Sequence, residues 1–224
     1  SKSNLVFGNF LLSRYEIKEK KYEQEFNYLI KAHNHYFELK KEKFELDVKY
    51  WFDDVLQISD FAEFKNTEKN SDHKIKPIFI IGVPRSGSTL IEKVIGSGEN
   101  PIPMGEETAV LEYIVNNKVL GKKSLNLGEV KSFRDELVSI YKDRGLIQEK
   151  SNFVFTDKSL NNFFYLGLIN EIFPESKVIN CRRETLSSIM SIFQNNLTEL
   201  AWTHNLENIF KYFDNYFKII NKFK

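Results

Sequence analysis

Cysteine is nearly absent from this 224-residue sequence: Cys181 stands alone, which excludes an internal disulfide and accords with a reducing, cytoplasmic compartment. Proline is scarce, with 5 in the chain and none before Pro77, so nothing there interrupts a long helix. No charge sign dominates. The 32 Lys and Arg balance 31 Asp and Glu, leaving no global field to draw nucleic acid or a membrane surface. Apolar runs stay far short of the roughly 20 residues that span a bilayer, and the opening residues do not read as a signal peptide. An anionic ligand therefore has to be held by local groups.

Apolar residues are plentiful: 42% of the chain is hydrophobic and 20 residues are Phe, enough for a sizeable core. Over residues 1–65 they recur at helical spacing, as in Tyr22, Phe26, Leu29 and Ile30, then Phe44, Leu46, Tyr50, Trp51 and Val55. Phe7–Tyr36 has the pattern of one tetratricopeptide repeat (TPR), with Gly8 in a first helix, a turn near Lys20, and Tyr22, Phe26 and Ala32 in a second. An ordinary helical hairpin, or a cap on the domain that follows, reads equally from this pattern. Residues 66–76 are polar and read as a linker. The stripe Leu206, Ile209, Phe210, Phe213, Phe217 and Ile220 meets no stop signal before Lys224. With a start at Ser1 in place of Met, this predicts a fragment whose last domain, 77–224, is truncated at its C-terminus.

From Pro77 the pattern changes. The apolar runs 77–81, 153–155 and 177–181 predict short strands, and each is followed by a helical stretch, such as 125–144 with Val130, Phe133, Leu137 and Ile140 on one face. Strands alternating with helices define an α/β fold with a parallel sheet flanked by helices, preceded by the all-helical TPR-like segment. Ligands of such sheets sit at the carboxyl ends of the strands. Charged or hydroxyl residues follow all three: Arg85 to Thr89, Asp157 and Lys158, Arg182 and Arg183.

Gly82-Val-Pro-Arg-Ser-Gly-Ser-Thr89 has the P-loop frame G-x-x-x-x-G-x-[ST] between a strand and a helix. Glycines let backbone N–H groups cradle an anion, and the helix behind adds its positive end. The triphosphate version needs a lysine before the threonine, and Ser88 stands there. The loop thus argues for an anion carried with less charge than ATP or GTP, met by Arg85, Ser86, Gly87, Ser88 and Thr89. A plain glycine turn capping a helix is the alternative.

Pro77-Ile-Phe-Ile-Ile-Gly-Val-Pro-Arg-Ser-Gly-Ser-Thr-Leu90 resembles the donor-binding signature of sulfotransferases that use 3′-phosphoadenosine 5′-phosphosulfate (PAPS). The nearest in pattern are the tyrosylprotein sulfotransferases and the TPR-linked bacterial sulfotransferases, and the resemblance spans about 77–196. Three further motifs follow in the family's order. In Gly105-Glu-Glu-Thr108 the second glutamate, Glu107, matches the family's general base, a role that suits a carboxylate beside an acceptor hydroxyl. The alternative is that Glu106 and Glu107 simply favour a helix N-terminus. Ala109 replaces the arginine that tyrosylprotein enzymes carry next, which weakens a protein-tyrosine substrate. In Thr156-Asp-Lys-Ser-Leu-Asn-Asn162, Lys158 matches the lysine near the bridging oxygen, where a cation offsets charge on the leaving group; alone it would read as a solvated charge. In Cys181–Ser191, Arg183 and Ser191 match the arginine and serine that hold the donor's 3′-phosphate. Arg182 is either a helper or a surface ion pair.

The resemblance implies an enzyme, a PAPS-dependent sulfotransferase moving a sulfuryl group to an acceptor hydroxyl by in-line displacement, with no metal. The acceptor is a protein, carbohydrate or small molecule, and the TPR-like helices offer a place for a protein partner. Neither nucleic acid nor a membrane span enters this reading. Two alternatives remain open: an atypical P-loop kinase of a small molecule, and a non-catalytic repeat-containing interaction protein. His33, His35 and His73 precede the loop and His204 lies in no recognised motif, so a histidine base fits less well than glutamate.

Overall fold

The structure is a computed structural model, described here over residues 1–58, 75–122, 125–147 and 153–223. The linker read at 66–76 lies, up to residue 74, outside the described residues. The chain divides into two compact units, Ser1–Asp53 with Glu184–Asn215, and Asp54–Arg183 with Tyr216–Lys224.

The first unit is helical. α1 (Lys2–Lys18) and α2 (Tyr22–Lys49) form the hairpin expected from the sequence, joined at Lys20, which adopts a left-handed φ of 58°. Val6, Phe10, Leu29, Ala32 and Phe44 supply its buried face. α2 kinks at Lys40 and runs into a π-helical turn, Tyr50–Asp54. α7 (Thr185–Phe193), the short turn Ala201–His204 and the first part of α8 (Leu206–Lys222) complete the unit. Trp202 and Tyr212 stack 3.8 Å apart at its centre, both fully buried. Beside them His33 stacks on Phe193 and His204 on Tyr36, and the two imidazoles meet Nδ1 to Nδ1 at 2.9 Å.

The second unit carries a three-stranded parallel sheet. β1 (Lys76–Gly82), β2 (Val154–Asp157) and β3 (Lys177–Cys181) lie in the order β2-β1-β3, with Phe79 opposite Asp157 on one side and Val178 on the other. Phe79, Ile80, Ile81 and Phe155 are fully buried, which is why these runs read as continuously apolar. α3 (Ser88–Gly96), α4 (Val110–Ile114), α5 (Leu127–Asp143) and α6 (Leu166–Ile172) accompany the sheet. The start of α5 is fixed by a capping box: Asn126 accepts from the Glu129 N–H at 3.0 Å, and Glu129 accepts from the Asn126 N–H at 2.9 Å. Phe133, Leu137 and Tyr141 form its buried face. Pro103–Glu107 lies along the outer edge of β2, donating or accepting Thr156 N to Pro103 O, Lys158 N to Gly105 O and Glu107 N to Lys158 O. This short edge brings the Gly-Glu-Glu-Thr motif to the carboxyl end of the sheet. Among the described residues no helix is long and apolar enough to cross a membrane.

Candidate functional site

The Gly82–Thr89 loop leaves the central strand and enters α3 through two residues with left-handed backbone, Arg85 at φ 67° and Gly87 at φ 90°. Gly82 must be glycine on two counts: its φ is 153°, and a Cβ would stand 2.6 Å from the Cys181 carbonyl. Gly87 caps α3 without a side chain, so the cap position itself offers the first-turn amides no side-chain acceptor. Inside the loop, Ser86 is 9% exposed and its Oγ has no hydrogen-bond partner among the described residues. A buried hydroxyl without a partner is costly to keep. Here it borders the open amides of a helix N-terminus, a setting suited to an anion. Arg85 in the same turn is exposed.

Lys158 follows β2 and is only 2% exposed. Its Nζ lies 2.6 Å from Glu106 Oε1 and 3.3 Å from Thr89 Oγ1, so the strand-end cation, the loop's helix and the Gly-Glu-Glu-Thr motif meet at one point. The Lys158 hydrogen bond and charge hold the Glu106 carboxyl below the usual carboxylate range. Glu106 and Lys158 also form a parallel backbone bridge. Glu107 is exposed, and its carboxylate makes no hydrogen bond or ion pair among the described residues. The backbone there is unusual: Glu107 (φ 46°) and Ala109 (φ 51°) are both left-handed without being glycine.

Two polar chains tie this turn to β2. In the first, Gly105 N–H donates to Thr156 Oγ1 at 3.1 Å, and Thr156 donates to the buried Glu92 of α3 at 2.6 Å. A Cβ at position 105 would lie 2.4 Å from the Thr156 carbonyl. In the second, Thr108 donates to Asp157 Oδ2 at 2.7 Å, and the Ala109 N–H donates to Ser159 Oγ at 3.0 Å. Arg144 donates to the Thr108 carbonyl.

Of the residues singled out in the sequence, Ser86, Gly87, Ser88, Thr89, Glu106, Glu107 and Lys158 gather at the carboxyl ends of β1 and β2, with Arg85 on the rim. Arg183 is exposed just beyond β3 in the same unit, whereas Ser191 lies on α7 in the other. Sequence reasoning passed over Glu92 of α3 and Tyr141 of α5, which bond Thr156 and Asp157, and Arg144 just after α5, which bonds the Thr108 carbonyl. For Tyr141 a signal existed: it falls four residues after Leu137 on the buried stripe of α5. Among the described residues no group of His, Cys, Asp and Glu side chains could hold a metal ion.

A glycine loop between strand and helix, a buried cation after the neighbouring strand, and a carboxylate on that cation thus meet at one end of the sheet. Residues 77–222 match the family model for the sulfotransferase family, and the chain belongs to that family. It is also 33% identical over 211 residues to an uncharacterized protein of Aquifex aeolicus (strain VF5), a match covering 87% of this chain and 27% of that protein. The chain thus spans about a quarter of the length of this curated relative. No solved structure matches it.

Proposed function

We propose that the chain is the donor-binding part of a PAPS-dependent sulfotransferase that acts on an acceptor hydroxyl by in-line displacement. The observation that carries this reading is the approach of the Lys158 ammonium to Thr89, which sets a buried cation at the mouth of the P-loop-type turn. The buried, unpartnered Ser86 hydroxyl and the uncapped amides of α3 fit a phosphosulfate. PAPS, when bound, supplies the electrophilic sulfuryl group. The chain's residues then have separable tasks. Arg85, Ser86, Gly87, Ser88 and Thr89 hold the anion. Lys158 keeps positive charge where negative charge develops on the departing oxygen. Glu107, exposed and without an ion-pair partner among the described residues, takes the proton of the attacking hydroxyl. Glu106 is less suited to that task, because its carboxylate is engaged by Lys158. Arg183 is assigned to the donor's 3′-phosphate, and Ser191 is carried over to the same role by resemblance alone. No task here calls for a metal.

The helical hairpin is read as a TPR-like unit that engages a protein partner or acceptor. Support comes from Phe7, Leu11 and Tyr15, one turn apart along α1 and 59%, 65% and 57% exposed.

The donor assignment is tested by thermal shift of the full-length protein with PAP and with ATP plus Mg²⁺. PAP at about 100 times its dissociation constant is expected to stabilise by roughly 2.7 kcal/mol, and ATP much less, because Ser88 replaces the triphosphate lysine. Equal shifts would favour the P-loop kinase reading instead.

A further inference from the structure

Asp157 immediately precedes Lys158 but faces away from the glycine loop, and it is fully buried. Its two oxygens accept four hydrogen bonds. Tyr141 Oη (2.5 Å) and Thr108 Oγ1 (2.7 Å) donate to Oδ2, while Ser159 N (3.1 Å) and Asn162 Nδ2 (3.2 Å) donate to Oδ1. An ionised carboxylate is acceptor-only with about four acceptor sites, so this arrangement uses its capacity fully. Burial pushes the Asp157 carboxyl upward, and the Tyr141, Thr108 and Ser159 hydrogen bonds oppose that push. Four converging donors around one buried anion make a rigid knot, and one of the four is the hydroxyl of Thr108.

Thr108 sits between the two left-handed residues of the motif, Glu107 and Ala109. It is gripped from both sides: its hydroxyl by Asp157, its carbonyl by Arg144. The adjoining Ala109 N–H is held by Ser159, which also donates to Asp157 through its own backbone. A turn with two departures from favoured backbone, one on each side of Thr108, persists only where its surroundings over-determine it. We propose that Asp157, tensioned by Tyr141 of α5, is the positioning residue of the candidate site. It holds Thr108 so that the Gly105–Ala109 turn stays in its left-handed form, with Glu106 on Lys158 and Glu107 projecting outward. The catalytic meaning of this rests on the sulfuryl-transfer reading; the positioning itself does not.

The test uses Thr108→Val, which keeps the shape and removes the hydroxyl, Thr108→Ser, which keeps the hydroxyl, and Tyr141→Phe. Amide hydrogen exchange is read at Glu107 and Ala109 in the turn and at Leu90 and Ile91 in α3, together with the NMR signal of the Lys158 ammonium and the affinity for PAP. Thr108→Val and Tyr141→Phe are expected to speed exchange at Glu107 and Ala109 by about tenfold, leaving Leu90 and Ile91 unchanged, since the loss is local. The Lys158 ammonium signal should broaden in both, while Thr108→Ser restores every readout to the wild-type value. PAP affinity should stay within about twofold, because neither residue contacts the glycine loop. Uniformly faster exchange across the unit, wild-type protection of the turn in Thr108→Val, or no rescue by Thr108→Ser would overturn the proposal. If wild-type protein fails to bind PAP, the donor reading falls, and the exchange pattern still decides the role of Asp157. Asp157→Asn is the severe form of the same change, and the Thr108 pair decides the matter should it not fold.

Discussion

Acidification should weaken the helical unit through one contact, the buried pair His33 and His204. His33 Nε2 lies 2.8 Å from the Phe193 carbonyl, and His204 Nε2 lies 3.3 Å from the Leu197 carbonyl. Two neutral rings carry two N–H groups, too few for these contacts and the 2.9 Å Nδ1 to Nδ1 contact together. The distances assign the protons to His33 Nε2, facing Phe193, and to His204 Nδ1, donating to His33. Burial depresses the pKa of His33 from 6.5 to about 4, and burial together with the neighbouring His33 depresses that of His204 from 6.5 to about 3. A depressed folded pKa means that the unfolded chain binds protons first. The stabilising contribution is therefore complete above 6.5 and is lost as pH falls toward 4 and then 3. Each pH unit in that window costs about 1.4 kcal/mol per histidine, so pH 5 costs about 2 kcal/mol for each ring. A first proton shared between the Nδ1 atoms would satisfy all three contacts, which brings the expected loss for the pair nearer 2 than 4 kcal/mol. Both tryptophans, Trp51 and Trp202, lie in this unit, so their fluorescence reports its unfolding. Against urea, with a slope of about 2 kcal/mol per molar, the midpoint should fall by about 1 M between pH 7.5 and pH 5. Replacing both rings, His33→Phe with His204→Phe, should remove most of the difference attributable to the pair, whereas His204→Phe alone leaves the buried His33 and much of the loss. If wild type and the double variant lose stability equally over that range, or either imidazole titrates near 6.5 in the folded protein, the reasoning is wrong.

Other changes address the site. Glu107→Gln should leave PAP affinity within about twofold and abolish turnover on a confirmed acceptor, whereas full activity would move the base to Glu106. Arg85→Ala and Arg183→Ala should each weaken PAP binding at least about tenfold by calorimetry, because a charged contact is worth on the order of 1.5–3 kcal/mol. Gly105→Ala drives a Cβ against the Thr156 carbonyl at 2.4 Å and the Thr108 methyl at 2.9 Å. It should destabilise by about 1–3 kcal/mol in thermal melts, and an unchanged melting temperature would mean that the turn yields freely.

The sheet and its loop were legible because each strand is a short apolar run ending on charge or hydroxyl, and the hairpin because its apolar positions repeat at helical spacing. The grouping of residues 184–215 with the N-terminal helices was not legible. It depends on aromatic stacking between distant segments, as in His33 on Phe193 and Tyr36 on His204, and no local periodicity records that. The motif pattern named Glu107 and Lys158, yet the pattern says nothing of which neighbouring glutamate meets the lysine. That is decided by left-handed backbone at positions 107 and 109, which propensities for Glu and Ala argue against. Glu92 and Tyr141 escaped notice for a related reason: each sits on a helix as an ordinary residue, and only the tertiary partner gives it a task.

The end of β2 also sets a polarity that depends on counting. Thr156 and Lys158 address α3 behind the glycine loop, while Asp157 and Ser159 address the turn at Thr108 and Ala109. Alternation with period two thus sorts a cation to one side and an anion to the other within two adjacent residues. A slip of one residue in the pairing with β1 would exchange them, turning a carboxylate toward the anion cradle and burying an ammonium among hydroxyl donors. Insertions or deletions between Val154 and Ser159 should therefore be far more damaging than substitutions there. They would reverse the sign of the field at the cradle, which a single substitution elsewhere in the strand does not do.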